Sequence, residues 1–146
     1  MAKAAPGSSD VLIDELFATT VKVRAYTDAK LRVGGASVAR LRAMRMLAAS
    51  AEPLRMRDLS EMLGVAARTA TSVVDGLERD GLVERVRHPV DRRAFLLNLT
   101  PLGRRRHLEA EAVDSAALAT ATGGLAPEDR ARLRELLALI REAVAE

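Results

Sequence analysis

Cysteine is absent from this chain, as is tryptophan, and two phenylalanines and one tyrosine are its only aromatic side chains. Without thiols there can be no disulfide, no thiolate metal site and no cysteine redox switch. With so few rings the core must be Leu, Val, Ala and Met, which suits packed helices better than a β-sandwich. No run approaches the ~20 apolar residues of a membrane span, and Met1–Asp10 lacks the apolar centre of a secretory signal. The expected location is therefore cytoplasmic, with no membrane partner. Only two histidines occur, His88 and His107, and neither sits in an HExxH or other metal-ligand spacing. The glycine pairs at 34–35 and 123–124 follow no strand pattern, so they read as hinges rather than phosphate cradles. Enzyme chemistry, a metal and a cofactor are all without support.

At 146 residues the chain has the length of one domain and enough substance for a core. Its net charge of +3 is unevenly spread: residues 1–106 hold 19 Lys+Arg against 12 Asp+Glu, and residues 107–146 hold 4 against 8. A basic body with an acidic tail fits a protein that turns one face to a polyanion, although arginine-rich surfaces are common on soluble proteins generally.

The informative stretch is Met56–Thr100. A short helix is expected over about Arg57–Leu63, with apolar Leu59, Met62 and Leu63. Gly64 supplies the backbone freedom for a tight turn. In the helix that follows, Ala70, Val73, Val74 and Leu77 fall at i, i+3, i+4, i+7 and form one apolar face. Docked by that face, the helix presents Ala67, Arg68, Thr69, Thr71, Ser72 and Asp75 outward, groups suited to base edges and phosphates in a major groove. An ordinary amphipathic helix with a solvated side accounts for the same pattern. Gly81 suits the position just past a helix end. Leu82–Arg87 then alternates apolar with polar as a strand, Pro89 turns the chain, and Ala94–Leu99 returns as a second strand. A hairpin tipped by Asp91, Arg92 and Arg93 is a wing, and an arginine there can enter a narrow, strongly negative minor groove. Arg55, Arg79 and His88 are further candidate phosphate contacts. The order is that of a winged helix-turn-helix, mainly α with a small β-wing.

Leu63-Gly64-Val65, Thr69, Thr71, Val74-Asp75, Leu77-Glu78, Gly81-Leu82-Val83, Asp91-Arg92-Arg93 and Leu99-Thr100 together resemble the multiple-antibiotic-resistance regulator (MarR) family. The most specific piece is Asp91-Arg92-Arg93 followed by Leu99-Thr100-Pro101-Leu102-Gly103. The resemblance implies a sequence-specific, double-stranded DNA-binding transcription regulator, a homodimeric repressor on a pseudo-palindromic operator. It implies that Asp91 orients Arg93, that Arg93 enters the minor groove, and that Arg92 meets phosphate. It also implies release by a small-molecule effector, phenolic or otherwise anionic. Two positions depart from the family pattern: Ala66 stands where Ser or Thr often caps the recognition helix, and Gly76 where a bulky polar residue is common. The competing reading from another class is a winged-helix module that docks proteins and binds DNA weakly or not at all. The adjacent arginines of the wing tip speak against it.

Residues 1–9, with Pro6, Gly7, Ser8 and Ser9, read as a loose tail, and residues 10–146 as a single MarR-like domain in which 37–103 form the winged helix-turn-helix. The first helix, about Asp10–Ala29, has apolar positions on more than one side, including Leu12, Leu16 and Phe17. Leu31–Ala36 should be a loop. Ser37 should cap a helix over Val38–Ala49 whose Arg40, Arg42 and Arg45 lie largely off its apolar face. Thr100-Pro101 begins a long helix to about Thr122, opening with Arg104-Arg105-Arg106-His107. Those cations oppose the helix dipole, so DNA phosphate, solvation, or pairing with Glu109 or Glu111 should occupy them. A last helix starts at Pro127 and carries Leu133, Leu137 and Ile140 in its stripe. By the resemblance, residues 10–30 and 104–146 are dimerisation helices.

Overall fold

The computed structural model describes the backbone of residues 8–145 and the side chains of residues 11–145. Among these, six helices and three strands follow as α1 (Ser8–Arg32), α2 (Val38–Ala49), β1 (Leu54–Arg55), α3 (Met56–Leu63), α4 (Ala67–Arg79), β2 (Val83–Arg87), β3 (Phe95–Leu99), α5 (Pro101–Thr122) and α6 (Pro127–Ala143). The three strands form one antiparallel sheet in the order β1-β3-β2. The chain is mainly helical with a small β-wing, the class its sequence implies.

Local chemistry sets the element ends. The Ser37 hydroxyl accepts the Arg40 backbone N–H at 3.1 Å, and Asp28 of α1 accepts that of Val38 at 2.7 Å, which caps α2 and ties it to α1. Gly64 (φ 64°) and Gly81 (φ 73°) adopt the left-handed conformation that ends α3 and α4. Thr100 Oγ1 accepts the Gly103 N–H at 3.0 Å and donates to Gly81 O at 2.6 Å, so α5 starts clipped to the turn after α4. Pro101 and Pro127 each sit in the first turn of their helix.

The main core gathers Met44 and Leu47 of α2, Leu59 and Leu63 of α3, Val74 and Leu77 of α4, and Val83, Leu97 and Leu99 of the sheet. A second cluster joins Leu31, Leu41 and Ala110, where α1, α2 and α5 meet. The arginines of α2 leave the apolar face to bridge three other elements. Arg40 donates to Asp80 at 2.6 Å, Arg42 to Leu63 O at 3.2 Å, and Arg45 to Glu111 at 2.6 and 2.9 Å and Asp114 at 3.2 Å. The Arg45 hydrogen bond holds the Glu111 carboxyl below its ordinary value, and the same bond raises the Arg45 guanidinium.

Three expectations change. Most of the expected tail, residues 1–7, lies outside the described residues, and Ser8 and Ser9 already belong to α1. The loop expected at Leu31–Ala36 begins later, because Leu31 is buried in the second cluster and continues α1 through Arg32. In β2 the alternation breaks: Val83 and Arg85 share a side, and Val86 turns outward, 45% exposed. A period of two cannot place both valines inward, and Arg85 takes the inner position because α4 offers it carboxylates.

α6 buries none of its side chains. Leu133, Leu137 and Ile140 are exposed, as are Leu12, Leu16 and Phe17 of α1, Phe17 at 67%. Apolar area of that extent on two helices is what an interaction face looks like.

Candidate nucleic-acid interface

Ala70, Val74 and Leu77 are fully buried and dock α4 on the core. The opposite side exposes Ala67, Arg68, Thr69, Thr71, Ser72, Asp75 and Arg79. Among the described residues Arg68 and Arg79 form no ion pair. Thr71 Oγ1 donates to Ala67 O at 2.9 Å, and Asp75 is paired with Arg85 of β2. Ala66 offers α4 no side-chain cap. Gly76 has a definite role: a Cβ there would lie 2.7 Å from Arg40 Nη2, so the missing side chain makes room for the guanidinium that binds Asp80.

The wing is held by a small polar cluster. His88 Nδ1 accepts the backbone N–H groups of Val90 and Asp91 at 3.1 and 3.0 Å. Arg55 Nη2 lies 3.2 Å from His88 Nε2, and its Nη1 lies 3.5 Å from the Asp91 carboxylate. Asp91 Oδ1 accepts the backbone N–H of Arg93 at 3.1 Å. Asp91 thus fixes Arg93 through its backbone while its carboxylate pairs with Arg55. Arg55 and His88, expected at phosphate, are engaged in building the wing. Arg92 and Arg93 are exposed, and among the described residues neither has an ion-pair partner. Behind the tip, the Arg87 guanidinium lies 5.7 Å from the centre of the Phe95 ring across the hairpin.

The helix and the wing share one cleft. Thr71 of α4 and Arg93 of the wing line the same concavity, with Arg55, Arg57 and Arg85 on its walls. Four arginines line the cleft beside the polar side of α4: Arg55, Arg57 and Arg85 are ion-paired, with Asp91, Glu61 and the Asp75 and Glu78 carboxylates, and Arg93 has no ion-pair partner among the described residues. Sequence pattern does not single out Arg57 and Arg85. Arg57 lies off the apolar face of α3, and Arg85 is in phase with Val83 along β2. At the start of α5, Arg106 pairs with Glu109 at 2.9 Å and His107 with Glu111 at 3.1 Å, while Arg104 and Arg105 stay exposed.

A separate cavity of about 590 Å³ opens where α1, α2, the end of α4 and α5 converge. Leu31, Met44, Leu82 and Val113 give it apolar walls, and two ion pairs line it, Arg40 with Asp80 and Arg106 with Glu109. No group of His and acidic side chains able to hold a metal occurs among the described residues. No helix there is long and apolar enough to cross a membrane.

Residues 37–95 match the model of the MarR family. No curated protein sequence matches the chain. Among solved structures, a MarR-family transcriptional regulator from Rhodococcus sp. RHA1 is similar at 26% identity and TM-score 0.80, over 93% of this chain and 96% of that one. CouR from Rhodococcus jostii RHA1, solved bound to p-coumaroyl-CoA, is similar at 26% identity and TM-score 0.76, over 93% and 95%. A MarR variant from E. coli, complexed with operator DNA, shares the fold at 22% identity and TM-score 0.78, over 88% and 92%. The family model covers the helix-turn-helix, β2 and the wing tip, the solved structures extend the likeness of fold to nearly the whole chain, and residues 37–95 carry a domain of the MarR family.

Proposed function

We propose that the chain binds double-stranded DNA sequence-specifically as a homodimer and acts as a non-enzymatic repressor. The observation that carries this reading is the shared cleft of Thr71 and Arg93, because a helix and a wing tip on one side can grip one duplex together. In this reading Arg68, Thr69 and Ser72 address base edges, Arg93 enters the minor groove, and Arg92, Arg79 and Arg57 meet phosphate. Arg55 and His88 act from behind by holding the wing. The complex of the E. coli variant with operator DNA supports the arrangement by analogy of fold. Two-fold symmetry would set the recognition helices ~34–36 Å apart, so the operator is a pseudo-palindrome. The exposed faces of α1 and α6 supply a surface for the second copy.

The effector reading attaches to the cavity of about 590 Å³, within the size range of ligand sites. Its apolar walls suit an amphiphile whose anionic group takes the place of Asp80 or Glu109 on the lining arginines, and the bound p-coumaroyl-CoA of CouR is consistent with an effector of that kind. An anion reaching Arg40 competes with Asp80 at the end of α4, so binding there is linked to the placement of the recognition helix.

The experiment is selection of binding sites from random duplex DNA at fixed salt. Recovery of a palindrome with half-sites one helical turn apart is the expected result. Recovery of no enriched sequence, with retention of DNA only at low salt, would return the reading to a protein-docking module.

A further inference from the structure

Arg85 reaches from β2 across the cleft to the second half of α4. Its Nη2 donates to Asp75 Oδ1, and its Nε lies 3.5 Å from Glu78 Oε2. That Nε is buried and makes no hydrogen bond. One guanidinium therefore serves two carboxylates on the helix that carries the exposed Arg68, Thr69 and Ser72.

The charges on α4 explain why this matters. The helix holds Arg68 and Arg79 against Asp75 and Glu78, so by itself it is neutral. A helix laid in a groove brings all four groups near phosphates. Two unpaired carboxylates three residues apart would face like charge, and like charges brought together across an interface disfavour binding strongly. Asp75 is half exposed, yet the oxygen nearest β2 is already taken. Thr71, one turn before Asp75 on the same side of α4, lines the cleft together with Arg85 and Arg93, so the Arg85 end of the ion pairs borders the cleft of the proposed DNA face.

We propose that Arg85 is a positioning residue for DNA binding: it neutralises the Asp75 and Glu78 carboxylates and draws them back toward β2, which lets the polar side of α4 approach the duplex. The proposal rests on the DNA-binding reading above. Asp75 then serves the protein and does not read a base.

The test uses the full chain and fluorescence anisotropy with a labelled 30-base-pair random-sequence duplex pool, repeated with a selected site. Three variants are compared with the parent: Arg85→Ala, the pair Asp75→Asn with Glu78→Gln, and all three changes together. Arg85→Ala is expected to weaken binding about tenfold, and removing the two carboxylates in the same chain to restore it to within about threefold. The carboxamide pair alone should bind at least as tightly as the parent. A merely structural loss would not be rescued in this way. Three results overturn the proposal. The triple variant stays as weak as Arg85→Ala, and Arg85 then touches DNA itself. The carboxamide pair alone loses about tenfold, and the carboxylates then read bases. Or Arg85→Ala binds like the parent. If circular dichroism finds Arg85→Ala unfolded, the carboxamide pair decides alone, since it keeps Arg85 in place. If the parent binds neither duplex, the DNA-binding reading itself fails, and that outcome is distinct from any difference among variants.

Discussion

Gly103 stands where a side chain has no room: a Cβ there would lie 1.9 Å from the carbonyl oxygen of Leu82. The obstacle is backbone, which cannot swing aside as the Arg40 guanidinium over Gly76 can. Gly103→Ala should therefore cost about 3 kcal/mol or more, beyond ordinary overpacking. Gly76→Ala, which meets only the far end of a flexible side chain, should cost much less. Urea unfolding of the two variants checks the order, and equal losses would contradict it. At the wing, Arg93→Ala should weaken binding across many sequences and lower the salt slope by about one phosphate-equivalent or less. A gel-shift series at several salt concentrations reads both quantities. The sequence made much of this scale visible. Gly64 and Gly81 announced their turns, and the arginines of the tip were in plain view. It hid the roles of Arg55, Arg85 and Gly76, because their partners lie on other elements. Arg55 meets His88 and Asp91, Arg85 meets Asp75 and Glu78, and Gly76 accommodates Arg40.

Helices and strands were legible where apolar period and end chemistry agree. Ser37, Gly64, Thr100 and Pro127 mark ends that the structure keeps. The period misled in β2, where Val83 and Val86 fall on opposite sides of the strand. α4 begins at Ala66 in an extended conformation (φ −61°, ψ 148°) with no side-chain acceptor. Ala66→Ser should add a cap to the N–H of Thr69 and raise stability by about 0.5–1 kcal/mol, seen as a higher melting temperature. An unchanged melting temperature would mean that those N–H groups are already satisfied. Between α2 and α5, Glu111 is held below its ordinary value of 4.5, first by the Arg45 hydrogen bond. A lowered carboxyl contributes stability above its unfolded value, and that contribution disappears as pH falls through the folded value. The loss is thus expected below about pH 4.5. Its size is modest, about 0.5–1 kcal/mol, because the Arg45 side chain is 41% exposed and partly screened. Urea midpoints of parent and Glu111→Gln should differ at pH 7 and draw together as pH falls below 4.5; a gap that does not narrow on acidification would rule the contact out as the cause.

For the molecule as a whole, the basic body and acidic tail were readable from composition, and the structure places arginines of that body around one cleft. The extent of the uncovered apolar face was not readable, since periodicity marks a stripe without saying whether its own chain covers it. With α1 and α6 both exposing Leu and Phe or Ile, Leu137→Glu should convert a dimer to a monomer in sedimentation and lower DNA affinity well beyond the effect of Arg93→Ala. A charged variant that still sediments as a dimer would place the partner elsewhere. β3 ends at Leu99 and α5 begins at Pro101, with Gly103 seated on Leu82 and Thr100 bonded to Gly81. The joint has no slack. The hairpin reaches about 17 Å beyond it, so a swivel of α5 by about 10° transmitted through that joint would carry the fingertip by about 3 Å. In the proposed dimer, whatever sets the splay of the two long shafts would also set the gauge of the grip on DNA.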